Sequence, residues 1–242
     1  MRQTIVALLA LTGAIALVVG GIMLWNNRPG RVAISVNGRV ITDRELTWRA
    51  QTLIDDAKRV EHLLIPEKEM PEAMRHYRRT AAKMWIVKEV LLAAAVESGV
   101  KANAADEKES LAKMERQLKS RNLTPEQFFK EGPIPEEIKR EDFRESVLIA
   151  KFTRQDIEKN ISVSAQEVEN RMRELLELKA KMAKAGDAAK VRTDRRGVID
   201  MLRQEHFNKG FRDLFRTQFG KMTVECPAFP DLESVDAVSP PR

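Results

Sequence analysis

The sequence predicts a mainly α-helical protein: a multi-helix body with a small two-stranded β element that joins its N- and C-terminal segments, preceded by one transmembrane helix. Three observations support this fold class. Charged residues make up 32% of the 242 residues and aromatic residues only 5%, as in helical proteins with solvated charged faces. Apolar residues recur at helical spacing along most of the chain, and a long uncharged apolar segment lies near its start.

The apolar segment covers residues 4–25. A helix rises about 1.5 Å per residue, so roughly 20 residues cross a hydrocarbon core of about 30 Å. The segment is therefore a membrane anchor or a signal peptide. Its small-x-small pattern, at 14–16, lies inside the apolar run, where cleavage would leave apolar residues on the mature chain. We therefore assign 1–27 to an N-terminal membrane anchor or uncleaved signal.

The stretch that follows predicts a strand, a turn and a helix start in succession. Apolar residues alternate over 32–36, as in a strand with one buried face. Asn37-Gly38 indicates a turn, because both residues tolerate positive φ. Thr42 and Glu45 form a T-x-x-E capping box, so the first helix begins there.

Helical spacing and capping signals predict the remaining elements in order. The second long helix is apolar on nearly every face between Ile86 and Val96, so we expect it to be the central one. A short strand at 222–225 and a Pro-rich, disordered tail over 227–242 complete the chain. The predicted helices are approximately 43–60, 71–98, 104–121, a short helix after Asn122, 135–160 and 194–219.

The run Val36–Leu46, V-N-G-x-x-I-T-x-x-E-L, resembles the opening of the SurA-type and PrsA-type extracytoplasmic chaperones, which begin with a SurA N-terminal-like, trigger-factor peptide-binding-like domain. Two later phrases are similar to the family in the same order: V-E-S-G-V at 96–100 and I-S-V-S-A-Q-E-V at 161–168. The resemblance covers roughly 32–225, and implies one helical peptide-binding domain over 28–226.

The chain departs from the family after the third phrase, where a catalytic parvulin insert would stand. The interval 172–193 holds about twenty residues rich in Lys, Glu and Ala. It lacks the strands of a sheet-and-helix domain. The resemblance therefore implies a chaperone without the prolyl isomerase domain.

The strand at 32–36 needs a partner, because a lone short strand leaves its backbone amides and carbonyls unpaired. Residues 223–225 are the other good strand candidate. We predict that the two pair, as the resemblance also implies, and that they close the domain across nearly its whole length.

No arrangement of residues indicates an enzyme. The histidines, His62, His76 and His206, are far apart, without a second ligand at metal-binding spacing, and are expected on helix surfaces. Cys226 is the single cysteine and has no nearby histidine. We expect no catalytic residue, metal ion or cofactor. The formal charge of +6 is spread along helices, which indicates a solvated surface and not a nucleic-acid site.

The candidate binding residues are Met and aromatic side chains, which adapt to varied apolar partners. The same stripes at helical spacing also suit a core, and Met70, Met74 and Phe129 are expected nearer the surface than Trp85. The substrate-binding candidates are Trp48, Met70, Met74, Tyr77, Phe128 and Phe129, with Met84 and Trp85 as further residues to test.

The resemblance implies an ATP-independent holdase that binds unfolded or translocating polypeptides in a hydrophobic groove between helices. Its expected location is the bacterial inner membrane, single-pass, with the body in the periplasm. The flanking charges, Arg2 against Arg28 and Arg31, favour a cytoplasmic body slightly, and conflict with that placement. Two alternatives stay open: an envelope scaffold with one dedicated protein partner, and a nucleic-acid binder if the body lies inside the cell.

Overall fold

The computed structural model describes residues 30–60, 62–119, 122–183 and 194–238. The predicted membrane segment, 4–25, lies outside these ranges. Within them, no helix combines the length and the apolar character needed to cross a bilayer. The described chain is a mainly helical body with one small antiparallel sheet.

The sheet contains three strands in the order β2-β1-β3: β1 is Val32–Val36, β2 is Arg39–Thr42 and β3 is Val224–Glu225. The predicted closure is confirmed, because β1 and β3 pair antiparallel with Val36 opposite Val224. The prediction of a two-stranded element is wrong. Asn37 and Gly38 take φ values of 50° and 82°, and this tight turn folds β2 back onto β1 as a hairpin.

Eight helices follow or flank the sheet in the described ranges. Their ends match the predicted helices closely, and the capping box predicted at Thr42/Glu45 is present. A second capping box joins Ser164 and Glu167. One helix, Ala165–Ala183, lies where no helix bounds were predicted. The helices are α1 Asp43–Val60, α2 Met70–Glu97, α3 Ala104–Lys119, α4 Pro125–Lys130, α5 Glu136–Asp156, α6 Ala165–Ala183, α7 Arg195–Phe219 and α8 Val235–Val238.

The α2 helix is central, as predicted. It packs against α1, α5 and α7 and against β1. Its buried residues include Trp85, which is 6% exposed, and Ile86. The main core joins them to Leu46 of α1 and Phe215 of α7. A separate cluster, including Val168 and Leu202, holds α6 against the first half of α7.

The C-terminal segment is folded through Val238, so the predicted disorder from Pro227 is wrong over that range; residues 239–242 lie outside the description. Pro230–Glu233 forms a 3₁₀ turn and α8 follows. Leu232 is completely buried. The segment packs on the main core through apolar side chains, four of which are spaced three residues apart. They are Phe229, Leu232, Val235 and Val238.

Candidate functional site

A cleft of about 450 Å³ lies between α1 and α5, and the end of α3, α4 and the turn after α4 complete its lining. We call it the α1–α5 cleft. One side is polar and belongs to α1. The other side is largely apolar and comes from α4, the turn and α5. The two sides therefore offer different chemistry to whatever lies between them.

The polar side follows from the two faces of α1. Leu46, Ala50, Ile54 and Ala57 recur at helical spacing and are buried against the body. The opposite stripe turns to the cleft and carries side chains that donate and accept hydrogen bonds. Its residues are Arg49, Thr52, Asp55, Asp56 and Arg59.

The apolar side is built around a short, well-capped helix. Thr124 caps α4 through a reciprocal capping box with Gln127, and Gly132, at φ 83°, turns the chain toward α5. This geometry presents half-buried apolar side chains, which keep surface available for a partner. They are Met114, Leu123, Phe128, Ile134 and Phe143.

Lys139 holds this side in place. Its side chain is nearly buried, at 8% exposed, and Nζ donates hydrogen bonds to the backbone carbonyls of Phe128, at 2.8 Å, and Glu131. Nζ also lies 5.3 Å from the centre of the Phe128 ring. Burial lowers the pKa of Lys139. The ammonium thus satisfies carbonyls at the end of α4 and fixes the position of Phe128.

An ion-pair network continues from the cleft into the body. Asp142 lies 2.8 Å from Arg49 and 2.6 Å from Lys88, while Glu145 lies 2.6 Å from Lys88 and 2.7 Å from Arg39. Burial acts to raise the pKa of Asp142, but Arg49 and Lys88 outweigh it and the pKa lies below its ordinary value. These contacts join the hairpin, α1, α2 and α5, so they fix the spacing across the cleft.

Glu89 is the buried member of this network, at 3% exposed. Its oxygens lie 3.1 Å from Arg39 Nε and 3.3 Å from Lys88 Nζ, but neither contact has hydrogen-bond geometry. Burial and, to a smaller extent, the nearby Glu145 carboxylate raise the pKa of Glu89 by more than Lys88 and Arg39 lower it. When it is ionised, Glu89 therefore attracts Arg39 and Lys88 electrostatically, but removing its charge from water costs free energy.

The structure separates the six predicted binding residues. Phe128 lines the α1–α5 cleft. Phe129, expected near the surface, is only 3% exposed because its ring packs edge-on against Phe143 with 5.8 Å between centroids. Trp48 is half-buried under the guanidinium of Arg44, 4.7 Å from the ring, and does not line the cleft.

The remaining three predicted residues lie on the first half of α2. Met70 and Met74 are half-buried, as is Tyr77, whose ring meets His76 edge-on with centroids 5.4 Å apart. Met74 lines a second concavity, of about 690 Å³, between α2, the start of β1 and the C-terminal segment. Of the six, therefore, only Phe128 and Met74 line these two concavities.

Sequence reasoning missed an apolar loop beyond the end of α1. Leu64 is 92% exposed, and Val60 and Leu63 are 52% and 40% exposed. Arg59, the residue before the last residue of α1, belongs to the cleft lining. The signal was present: three consecutive apolar residues, 63–65, stand in a linker where polar residues are usual.

In the described ranges, Cys226 and His206 are both engaged in the structure of the body. No group of three or more His, Cys, Asp or Glu side chains in the described ranges is placed to hold a metal ion. The Cys226 thiol is buried, and burial raises its pKa. Both ring nitrogens of His206 have partners: Nδ1 lies 3.0 Å from the Ser162 carbonyl oxygen, and Nε2 lies 3.2 Å from a carboxylate oxygen of Glu167.

When the sequence was compared with models of known protein families and with curated proteins, neither comparison gave a match.

Proposed function

We propose that this protein is an ATP-independent, membrane-anchored chaperone of the holdase type, which binds unfolded or translocating polypeptides in the α1–α5 cleft. The proposal rests on one observation. Half-buried aromatic and aliphatic side chains line one side of an open cleft, and hydrogen-bonding side chains line the other. An extended polypeptide needs both. Its apolar side chains gain from burial, and its backbone amides and carbonyls need polar partners.

The exposed apolar loop supports the same proposal. Leu64 offers nearly its whole side chain to solvent close to the α1 end of the cleft lining. Val60 and Leu63 are exposed beside it, and grouped exposed apolar side chains are typical of surfaces that contact other proteins. The loop would be a peripheral contact for a client, whereas Phe128 and the rest of the cleft lining would supply most of the affinity.

Binding of apolar peptides by the full-length chain in lipid nanodiscs tests the proposal. Phe128→Ser should weaken binding about tenfold or more, since burying a Phe side chain contributes about 1.5 to 3 kcal/mol. Leu176→Ser is the matched control, because Leu176 is 53% exposed on α6 and outside the cleft. Equal affinities for Phe128→Ser and the unaltered chain would contradict the cleft as the site. Failure to suppress aggregation of an unfolded protein would contradict the holdase activity.

A second candidate is an envelope scaffold that binds one dedicated folded partner, and the exposed Leu64 favours it. Together with Val60 and Leu63 it forms a short exposed apolar stretch, and grouped exposed apolar side chains mark sites of protein–protein contact. Leu64→Ser discriminates the two functions. It should abolish capture of one partner if the protein is a scaffold, and should leave binding to a broad set of peptides largely intact if the cleft is the receptor.

The proposed location is the bacterial inner membrane, with residues 4–25 as a single-pass anchor and the body on the periplasmic side. A reporter fused after Arg242 tests this placement. Activity of a reporter that works only outside the cytoplasm is the expected result. A cytoplasmic signal would remove the extracytoplasmic proposal and would favour the nucleic-acid alternative, which salt-dependent DNA binding would then test.

A further inference from the structure

The concavity beside the start of α2 is rich in arginine. Arg31, Arg75 and Arg78 line it, and Asp43 is the only acidic residue in its lining. Apolar side chains, including Phe229, complete the walls. We call it the arginine pocket. Glu69 and Glu72 stand near the same helix end but do not line the pocket.

The positive charge of the arginine pocket is only partly neutralised. Arg78 lies 2.7 Å from Asp43, and its Nε is buried without a hydrogen-bond partner. Arg31 and Arg75 are exposed, and neither side chain forms an ion pair with another residue of the described ranges. The N-terminal end of α2 adds the positive end of a helix dipole on the same side. This arrangement suits an anionic group.

The position of the arginine pocket identifies the source of that group. Arg31 follows the end of the predicted membrane segment, Trp25, by six residues. Six residues span at most about 20 Å, whatever their conformation. If that segment crosses the bilayer, Arg31 stays close to the lipid surface, where anionic head groups attract basic residues next to the membrane segment.

We infer that the arginine pocket binds the head groups of anionic phospholipids and so orients the body on the membrane, with the start of α2 toward the lipid. The inference rests on the proposed anchor but not on the holdase activity. Arg31 and Arg75 make the lipid contacts, whereas Arg78 is held by Asp43 and supports the pocket.

The test uses the full-length chain in nanodiscs of phosphatidylcholine alone or mixed with phosphatidylglycerol. A fluorophore is attached to His76→Cys, an exposed position next to Arg75, and a quencher is carried on the lipid head groups. Cys226 does not compete for the label, because its thiol is buried. Ala112→Cys on α3, which contributes nothing to the pocket lining, is the control label.

We expect stronger quenching at position 76 in discs that contain phosphatidylglycerol, and no dependence on lipid charge at position 112. Arg31→Gln combined with Arg75→Gln should abolish the difference. Lys101→Gln combined with Lys108→Gln removes the same charge beyond the far end of α2, about 30 Å away along the helix, and should preserve it.

Three results obtained with a chain that is anchored in the nanodisc would overturn the inference. The first is equal quenching in both lipids. The second is a difference that survives the Arg31→Gln, Arg75→Gln change. The third is saturable binding of inorganic phosphate to the pocket that phosphatidylglycerol in the disc does not weaken, which would assign the pocket to a free anion. A chain that does not co-elute with nanodiscs would remove the anchor and this inference together, while peptide binding would still report separately on the holdase activity.

Discussion

The Nε atom of Arg39, at the start of β2, lies 3.1 Å from Oε2 of Glu89 in the middle of α2. Arg39 is half exposed, but the side chain of Glu89 is only 2% exposed, so the pair joins the hairpin to the buried face of the central helix. Lys88 brings a second cation, at 3.3 Å. Even so, burial raises the pKa of Glu89, which means that the folded protein holds this proton more tightly than a solvated carboxyl would.

Glu89→Gln should change how stability depends on pH. A carboxyl whose pKa is raised by folding contributes stability below its unfolded pKa, near 4.5, and that contribution is lost as pH rises through the folded value. Glutamine resembles the protonated acid and keeps its contribution at every pH. The free energy of unfolding of Glu89→Gln, relative to the unaltered protein, should therefore increase from pH 4 to pH 7. Urea titrations at both pH values measure it, and a difference that is constant or decreasing with pH would contradict the burial argument.

Lys139→Met should destabilise the protein by about 1 to 3 kcal/mol, because it leaves the Phe128 and Glu131 carbonyls without their donor in a poorly solvated place. Lys130→Met is the control. The side chain of Lys130 is 62% exposed and only pairs with Glu126 along the helix, so its loss should cost no more than about 0.5 kcal/mol. Thermal or denaturant unfolding compares the two. Equal stabilities of both variants would show that Lys139 does not support the end of α4.

Leu232→Ala should cost about 2 to 5 kcal/mol, the usual range for removing a fully buried Leu side chain. The matched control is Leu64→Ala, since Leu64 is 92% exposed and should contribute within about 0.5 kcal/mol. The comparison measures whether the C-terminal segment belongs to the cooperative fold. A neutral Leu232→Ala would mean that the segment detaches without unfolding the body.

Cys226 should react slowly with thiol reagents in the folded protein, because its side chain is 0% exposed and burial raises its pKa. In denaturant the reaction should reach the rate of a free cysteine. Leu232→Ala should increase the native rate, since both side chains belong to the same core cluster. A colorimetric disulfide-exchange assay follows these rates. Rapid modification in native buffer would contradict the packing of the C-terminal segment.

Local signals predicted much of the fold. A capping box placed the start of α1, and helical spacing placed α1 and α2 along the chain, because those interactions involve neighbours in sequence. The hairpin was missed although Asn37-Gly38 was recognised as a turn. The short β2 runs straight into the cap of α1, and the helix signal concealed the strand. The prediction of disorder for the C-terminal segment was wrong because it rested on the prolines. It took no account of the apolar residues, which include the buried Leu232.

The candidate site was only partly predictable, because a cleft depends on which helix faces meet. Phe128 and Phe129 are adjacent on one short helix, and their sequence neighbours do not determine which ring turns inward. The contact with Phe143 on α5 determines it, by drawing Phe129 into the interior and leaving Phe128 on the cleft wall. The spacing of α1 and α5 likewise depends on the pairing of Arg49 with Asp142, which are far apart in sequence.

Because Ser35 pairs with Glu225, the sheet can be completed only when the C-terminal part of the chain has been made. A chain made or exported from its N-terminus exposes β1 long before β3 exists. Until β3 arrives, β1 has β2 as its one strand partner in the described sheet, and its other edge is free to pair with foreign strands. The elements that line the α1–α5 cleft end at Asp156, so they are available earlier than the strand that closes the sheet. A chain truncated before Val224 should therefore retain helices yet self-associate through the open edge of β1.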